Sequence, residues 1–162
     1  MATPATSLHA LLRARGATIA TAESLTGGRL AALLTAVPGS SETYVGGVVS
    51  YATSLKTDLL GVPPELIAKH GVVSAECARA MATGARQVTG ATYAVSTTGV
   101  AGPGPQDGVP AGTVYVAVAG PETVTAVTLE LVGDRATIQD RTCQEALSVV
   151  SAILDGEETG LG

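Results

Sequence analysis

The stretch "ATIATAESLTGGRLAALL", residues 17 to 34, decides how this chain folds. Its first six residues read as a short β-strand, and Arg29 to Ala36 carries the apolar spacing of a helix. Between the two, Glu23, Ser24, Thr26, Gly27 and Gly28 share one strand-to-helix turn. Such a turn displays side chains and backbone N–H groups at the edge of a sheet. Gly27 and Gly28 would let a ligand approach that backbone closely, where a helix dipole favours negative charge. Ser24 has two readings. It is a preferred N-cap for a helix that begins near Leu25 or Thr26. It is also a nucleophile placed as on a nucleophile elbow, although "ESLTG" is not G-x-S-x-G.

Working outward, strands and helices keep alternating. "SLHALLRARG" (7–16) is an amphipathic helix closed by Gly16. "TYVGGVVSYA" (43–52) is a second strand whose glycines imply a bulge or a close backbone approach. "SLKTDLLGV" and "PPELIAKHG" are short helices, and "SAECARAMATGARQVTG" is a longer one with Ser74 as N-cap. "TYAVSTTG" is a third strand, followed by the Gly/Pro loop "VAGPGPQDGVPAG" (100–112). "TVYVAVAG" and "TVTAVTLELV" form a hairpin, and 134–154 is the last helix, with 155–162 expected as a frayed tail. This order predicts an α/β sandwich with a parallel portion and an antiparallel edge. Ligands of such sheets bind beyond the carboxyl ends of the strands. Three polar clusters sit there: Glu23 to Gly28, Tyr51 to Lys56, and Thr97 to Gly104.

Composition narrows the function. The length of 162 residues is that of one domain, and 46% hydrophobic against 14% charged residues argues a compact globular chain. With four Tyr and no Phe or Trp, the core must be aliphatic and there are few rings on which bases could stack. A net charge of −5 further disfavours nucleic acid as a partner. No segment approaches a membrane span, and the N-terminus lacks a signal pattern, so a cytoplasmic protein is expected. Cys77 and Cys143, with the isolated His9 and His70, have no metal spacing, so neither metal nor cofactor is expected.

Each cluster has a plain and a chemical reading. Lys56 is either a solvated helix residue or, desolvated in the crevice, a neutral amine able to act as base for a serine. Tyr51 could donate to an oxyanion or relay a proton. Ser96, Thr97 and Thr98 lead into a Gly-rich loop whose N–H groups can face an anion, yet no Walker motif or dinucleotide fingerprint is present. Arg135, near the start of the last helix, opposes the helix dipole unless a carboxylate such as Asp134 or a bound phosphate lies beside it.

Taken together, these residues resemble the C-terminal domain family of the competence- and damage-inducible protein CinA, over roughly residues 7 to 154. "TAESLTGG" is similar to the family's T-A-E-S-C-T-G-G, and "SYATSLK" to its Y-S-N-x-x-K stretch. "AVSTTGVAGP" with "PAGTVYVAV" resembles A-V-S-x-[ST]-G-[IV]-A-G-P and P-x-G-T-V, while "HGVVS" and "GDR" follow in order. The resemblance implies a three-layer α/β/α sandwich with a mixed sheet of about five strands. It implies, as in the stand-alone PncC-type members, a nicotinamide-nucleotide amidase that turns nicotinamide mononucleotide into nicotinate mononucleotide and ammonia.

Carried over residue by residue, the catalytic set is Ser24, Lys56 and Tyr51. The substrate-binding set is Glu23, Thr26, Gly27, Gly28, Thr98, Gly99, Gly102 and Arg135. Three positions depart from the pattern. Leu25 replaces a common Cys and excludes a thiol nucleophile there. Thr53 replaces an Asn, and Gln139 stands where an Arg is expected, which would weaken phosphate affinity. A homodimer is expected. The rival readings are a nucleotide-binding module without chemistry, in which Ser24 only caps its helix, and a competence-associated interaction module.

Overall fold

The computed structural model describes residues 3–158. In chain order the elements are α1 (Pro4–Ala14), β1 (Ile19–Glu23), α2 (Arg29–Thr35), a 3-10 turn (Ser40–Glu42), β2 (Tyr44–Val49), α3 (Thr53–Asp58), α4 (Pro64–His70), α5 (Ala75–Thr89), β3 (Tyr93–Gly99), β4 (Thr113–Ala119), β5 (Val124–Glu130) and α6 (Arg135–Glu158). The five strands form one sheet in the order β2-β1-β3-β4-β5. β1 runs parallel to β2 and β3, while β3-β4-β5 is antiparallel. The mixed α/β sandwich expected from the alternation is the fold observed.

Helices cover both faces, which is why β1 is buried at every residue and carries small or aliphatic side chains from Ile19 to Ala22, before the buried Glu23. On one face Leu8 and Leu12 of α1, Leu30 and Leu34 of α2 and Ile138, Leu147 and Leu154 of α6 pack on Ile19, Val95, Val114 and Val116. On the other, Cys77, Met81 and Ala85 of α5 pack with Leu60, Val62, Ala20 and Ala94. Small residues let α5 come very close: a Cβ on Gly84 would lie 1.9 Å from the Leu60 carbonyl oxygen. The glycines of β2 do both things the sequence implied. The register slips between Ile19 and Ala20, so that Tyr44 and Gly46 are their partners. A Cβ on Gly47 would lie 2.0 Å from Thr21 Oγ1.

Several boundaries differ from expectation. α1 runs from Pro4 to Ala14 rather than 7–16, and β2 stops at Val49 rather than at residue 52. α2 begins at Arg29, because Leu25 to Gly28 form a turn and Gly28, at φ 101°, precedes the helix in the left-handed region. α6 continues past residue 154 to Glu158, so the expected frayed tail is helical over 155–158; residues 159–162 lie outside the described part. Anchoring explains it: Arg15 Nη1 and Tyr93 Oη both donate to Glu157 Oε2, at 2.9 and 2.5 Å.

The register then sets up the site. Glu23 is level with Val49 on one side and Thr97 on the other. Ser24, and Ser50 with Tyr51, therefore leave the sheet side by side next to Thr98, which β3 still pairs with Tyr115 of β4.

Candidate active site

Ser24 sits at the first position beyond β1, its amide held by the Thr97 carbonyl at 3.0 Å. Its hydroxyl caps nothing. Lys56, on α3, is only 1% exposed and places Nζ 3.0 Å from Ser24 Oγ. The same nitrogen is 2.6 Å from the Ser50 carbonyl oxygen and 3.3 Å from that of Tyr51. All three partners are uncharged, and both ion pairs among the described residues, Arg15–Glu157 and His70–Glu76, lie elsewhere. Burial without a countercharge lowers the Lys56 pKa, and a weaker coupling to the Cys77 thiol opposes it. Three neighbours suit either protonation state. As an ammonium, Nζ donates to all three; as an amine, it donates to the two carbonyls and turns its lone pair to the serine hydroxyl. Burial pushes Cys77 itself up to about 11, so it stays a thiol near neutral pH.

The Ser24–Lys56 pair opens into a cavity of about 330 Å³, within the size range of small-molecule sites. Its wall includes Tyr51, Thr53, Thr98, the loop from Gly99 to Gly102, and Arg135. The lining holds two cations, Lys56 and Arg135, and no carboxylate. Thr98 donates its hydroxyl proton to the Val72 carbonyl at 2.7 Å, so the cavity meets its oxygen as an acceptor. Arg135 donates to the Gly102 carbonyl (2.6 Å) and to the Tyr51 phenol oxygen (3.2 Å), tying the Gly/Pro loop to the strand end of β2. Asp134 caps α6 by accepting from the Thr137 amide at 2.9 Å, and those hydrogen bonds lower its pKa.

The predicted residues thus divide. Ser24, Lys56, Tyr51, Thr98, Gly99, Gly102 and Arg135 come together around the cavity. Glu23, Thr26, Gly27 and Gly28 do not line it, a correction to the sequence reading with a clear cause. The fully buried Glu23 carboxylate accepts from Thr26 Oγ1 (2.6 Å) and from the amides of Gly28 (3.2 Å), Leu30 (2.9 Å) and Ala31 (3.1 Å). Glu23 itself fills the start of α2, so the Gly28, Leu30 and Ala31 amides offer no anion site to a ligand. Tyr51 is also placed differently. The residue is 62% exposed with its hydroxyl on Arg135, and its link to Lys56 is through its carbonyl. Gln139 is not a weakened phosphate ligand; it is buried and donates to the Leu25 carbonyl at 3.0 Å.

Sequence reasoning missed Ser50 and Val72, whose carbonyls accept from Lys56 and Thr98, since a backbone acceptor has no residue-type signal. His9 is structural, as read, with its ring between Thr43 and the Leu34 carbonyl. No group of acidic, histidine or cysteine side chains among the described residues could hold a metal. No described helix is long and apolar enough to cross a membrane.

Comparison with known proteins adds a family to this geometry. The model for the CinA C-terminal domain matches residues 1–154. The chain belongs to the CinA C-terminal domain family. A CinA-like protein of Frankia casuarinae is 49% identical over 146 residues, which is 90% of this chain and 34% of that protein. One from Geobacter sp. strain M21 is 47% identical over 96% of this chain and 38% of its own length. The chain spans about a third of the length of these curated relatives. Among solved structures, a CinA superfamily protein of Klebsiella pneumoniae 700603 superposes with a TM-score of 0.91 at 35% identity, covering 94% of this chain and 96% of its own. A competence/damage inducible protein of Agrobacterium tumefaciens gives 0.89 at 34%, covering 94% and 93%. The CinA-type sandwich and the sheet that carries the cavity are therefore shared with proteins of experimentally known fold.

Proposed function

We propose that this CinA domain is an amidohydrolase that deamidates nicotinamide mononucleotide by a Ser-Lys mechanism. The observation that carries the reading is the 3.0 Å contact between Ser24 Oγ and a buried Lys56 Nζ that has no carboxylate partner. In its neutral form Lys56 takes the Ser24 proton as Oγ attacks the carboxamide carbon. The resulting ammonium protonates the leaving nitrogen as the C–N bond breaks, giving ammonia and an acyl-enzyme. Water, deprotonated by Lys56, then attacks the ester. Ser24 recovers its proton from Lys56, and the carboxylic acid formed loses its own proton to solvent, so nicotinate mononucleotide leaves as a carboxylate. Backbone N–H groups of the turn after Ser24 receive the oxyanion in both steps.

The cavity's chemistry supports this substrate. The Thr98 oxygen is suited to accept from the carboxamide N–H₂, which orients the amide for attack. Arg135 has donors beyond the two it uses, and at the cavity mouth it suits a 5′-phosphate. The lining without carboxylates suits a ligand that carries negative charge throughout turnover.

The test is ammonia release from the purified protein given nicotinamide mononucleotide, beside Ser24→Ala and Lys56→Met. Turnover that disappears in both folded variants is expected. Turnover surviving Ser24→Ala would remove serine as nucleophile, and binding without turnover in the parent would make the domain a nucleotide-binding module.

A further inference from the structure

The mechanism leaves open what fixes the turn that receives the oxyanion, and why a glutamate and a glutamine are buried against it. The two peptide planes after Ser24 are each pinned from the side opposite the N–H. The Ser24 carbonyl, in the plane of the Leu25 amide, accepts from the Gly27 amide at 3.1 Å. The Leu25 carbonyl, in the plane of the Thr26 amide, accepts from Gln139 Nε2 at 3.0 Å. The Leu25 and Thr26 amides donate to no acceptor among the described residues. Leu25 is buried in the hydrophobic core and also contributes to the cavity wall beside Ser24.

Glu23 completes the clamp. A short helix after a turn ordinarily recruits the nearest hydroxyl as its cap. Here one carboxylate satisfies the Gly28, Leu30 and Ala31 amides together. That releases Ser24 Oγ to Lys56. Glu23 Oε1 also accepts a hydrogen bond from the Thr26 hydroxyl, and Thr97 Oγ1 in turn bonds Thr26 Oγ1 at 2.8 Å, closing a ring with the Thr97 carbonyl that holds the Ser24 amide. Both sides of the turn are thus fixed by buried side chains, Glu23 from β1 and Gln139 from α6.

We propose that Glu23 and Gln139 are positioning residues that lock the Ser24–Thr26 turn so that the N–H group of Leu25, the turn residue on the cavity wall, receives the oxyanion. The inference rests on the Ser-Lys reading, but its test does not depend on the nucleotide. The probe is p-nitrophenyl acetate, and the readout is the rate of Ser24 acylation followed by intact mass and peptide mapping, with Ser24→Ala as blank. Gln139→Met keeps the volume and removes the donor to Leu25. Glu23→Gln keeps one acceptor oxygen and sets a donor against a donor at the other.

Loss of one oxyanion donor typically costs about 10²–10³ in rate, so misalignment is expected to slow acylation about 10- to 100-fold in each variant. The midpoint of the pH–rate curve, set by Lys56, should not move, and melting should stay cooperative. Three results would overturn the proposal: parent-like rates in both folded variants, a slowed rate with a shifted midpoint, or no acylation of Ser24 in the parent. Ammonia release from nicotinamide mononucleotide is measured on the same samples. Its absence alongside normal Ser24 acylation would count against the substrate assignment alone.

Discussion

Replacing Lys56 by methionine should remove activity and reveal what the burial of this ammonium costs. Lys56 is 1% exposed, and its three neighbours are a hydroxyl and two carbonyls. Burial is the leading cause of its lowered pKa, so the folded protein releases this proton at a lower pH than the unfolded chain does. Between the folded pKa and the ordinary value of 10.5, the unfolded state binds more protons, and the stability of the parent must rise with pH. Below the folded pKa the penalty is constant; above 10.5 it has vanished. Each tenfold displacement of the proton equilibrium is worth about 1.4 kcal/mol. In a chain of this size that is about 3–5 °C in Tm.

Methionine has no such proton, and it also strips a donor from the Ser50 and Tyr51 carbonyls, an offset that does not vary with pH. The assay is urea denaturation of parent and Lys56→Met at steps from pH 6.5 to 10. The stability of the parent relative to the variant should climb towards the alkaline end. Groups present in both proteins cancel, and the Cys77 thiol, the titratable partner facing Lys56 from α5, ionises near 11, above the range. Deamidation by the parent should rise with pH to a plateau whose midpoint lies below 10.5, while the variant loses about 10²–10⁴ in rate. Parallel stability curves, or a parent that loses ground as pH rises, would refute a lysine destabilised in its charged form.

Other consequences are open to direct measurement. Arg135→Ala should raise KM for nicotinamide mononucleotide about 10- to 100-fold, the worth of charge-assisted hydrogen bonds, yet leave turnover of the phosphate-free riboside unchanged. Gly84→Ala would set a Cβ 1.9 Å from the Leu60 carbonyl oxygen, so urea midpoints should report a loss of about 3 kcal/mol. Glu157→Ala removes the acceptor shared by Arg15 and Tyr93 in a partly exposed pair. It should cost about 1 kcal/mol and speed amide exchange at the end of α6 without changing kcat.

Much of this molecule can be read along the chain. The strand–turn–helix at 17–34, the Gly-rich loop and the hairpin at 113–132 rest on local periodicity and turn chemistry, which act over a few residues and leave marks in residue type. Those same marks singled out Ser24, Lys56 and Arg135. What the sequence could not decide is which of two partners a polar group takes. Ser24 is as good an N-cap as a nucleophile, and only the fold shows that Glu23 does the capping and that Ser24 faces Lys56. Tyr51 was legible as a phenol, whereas its contact with Lys56 is a carbonyl, a group every residue has. Gln139 read as a missing arginine until the packing of α6 set its amide on Leu25, 114 residues away in sequence. Sequence by itself determined the elements and the chemistry available at their ends. The tertiary structure decided the pairings, because burial, register and the direction of a hydrogen bond depend on what other segments bring to the same place.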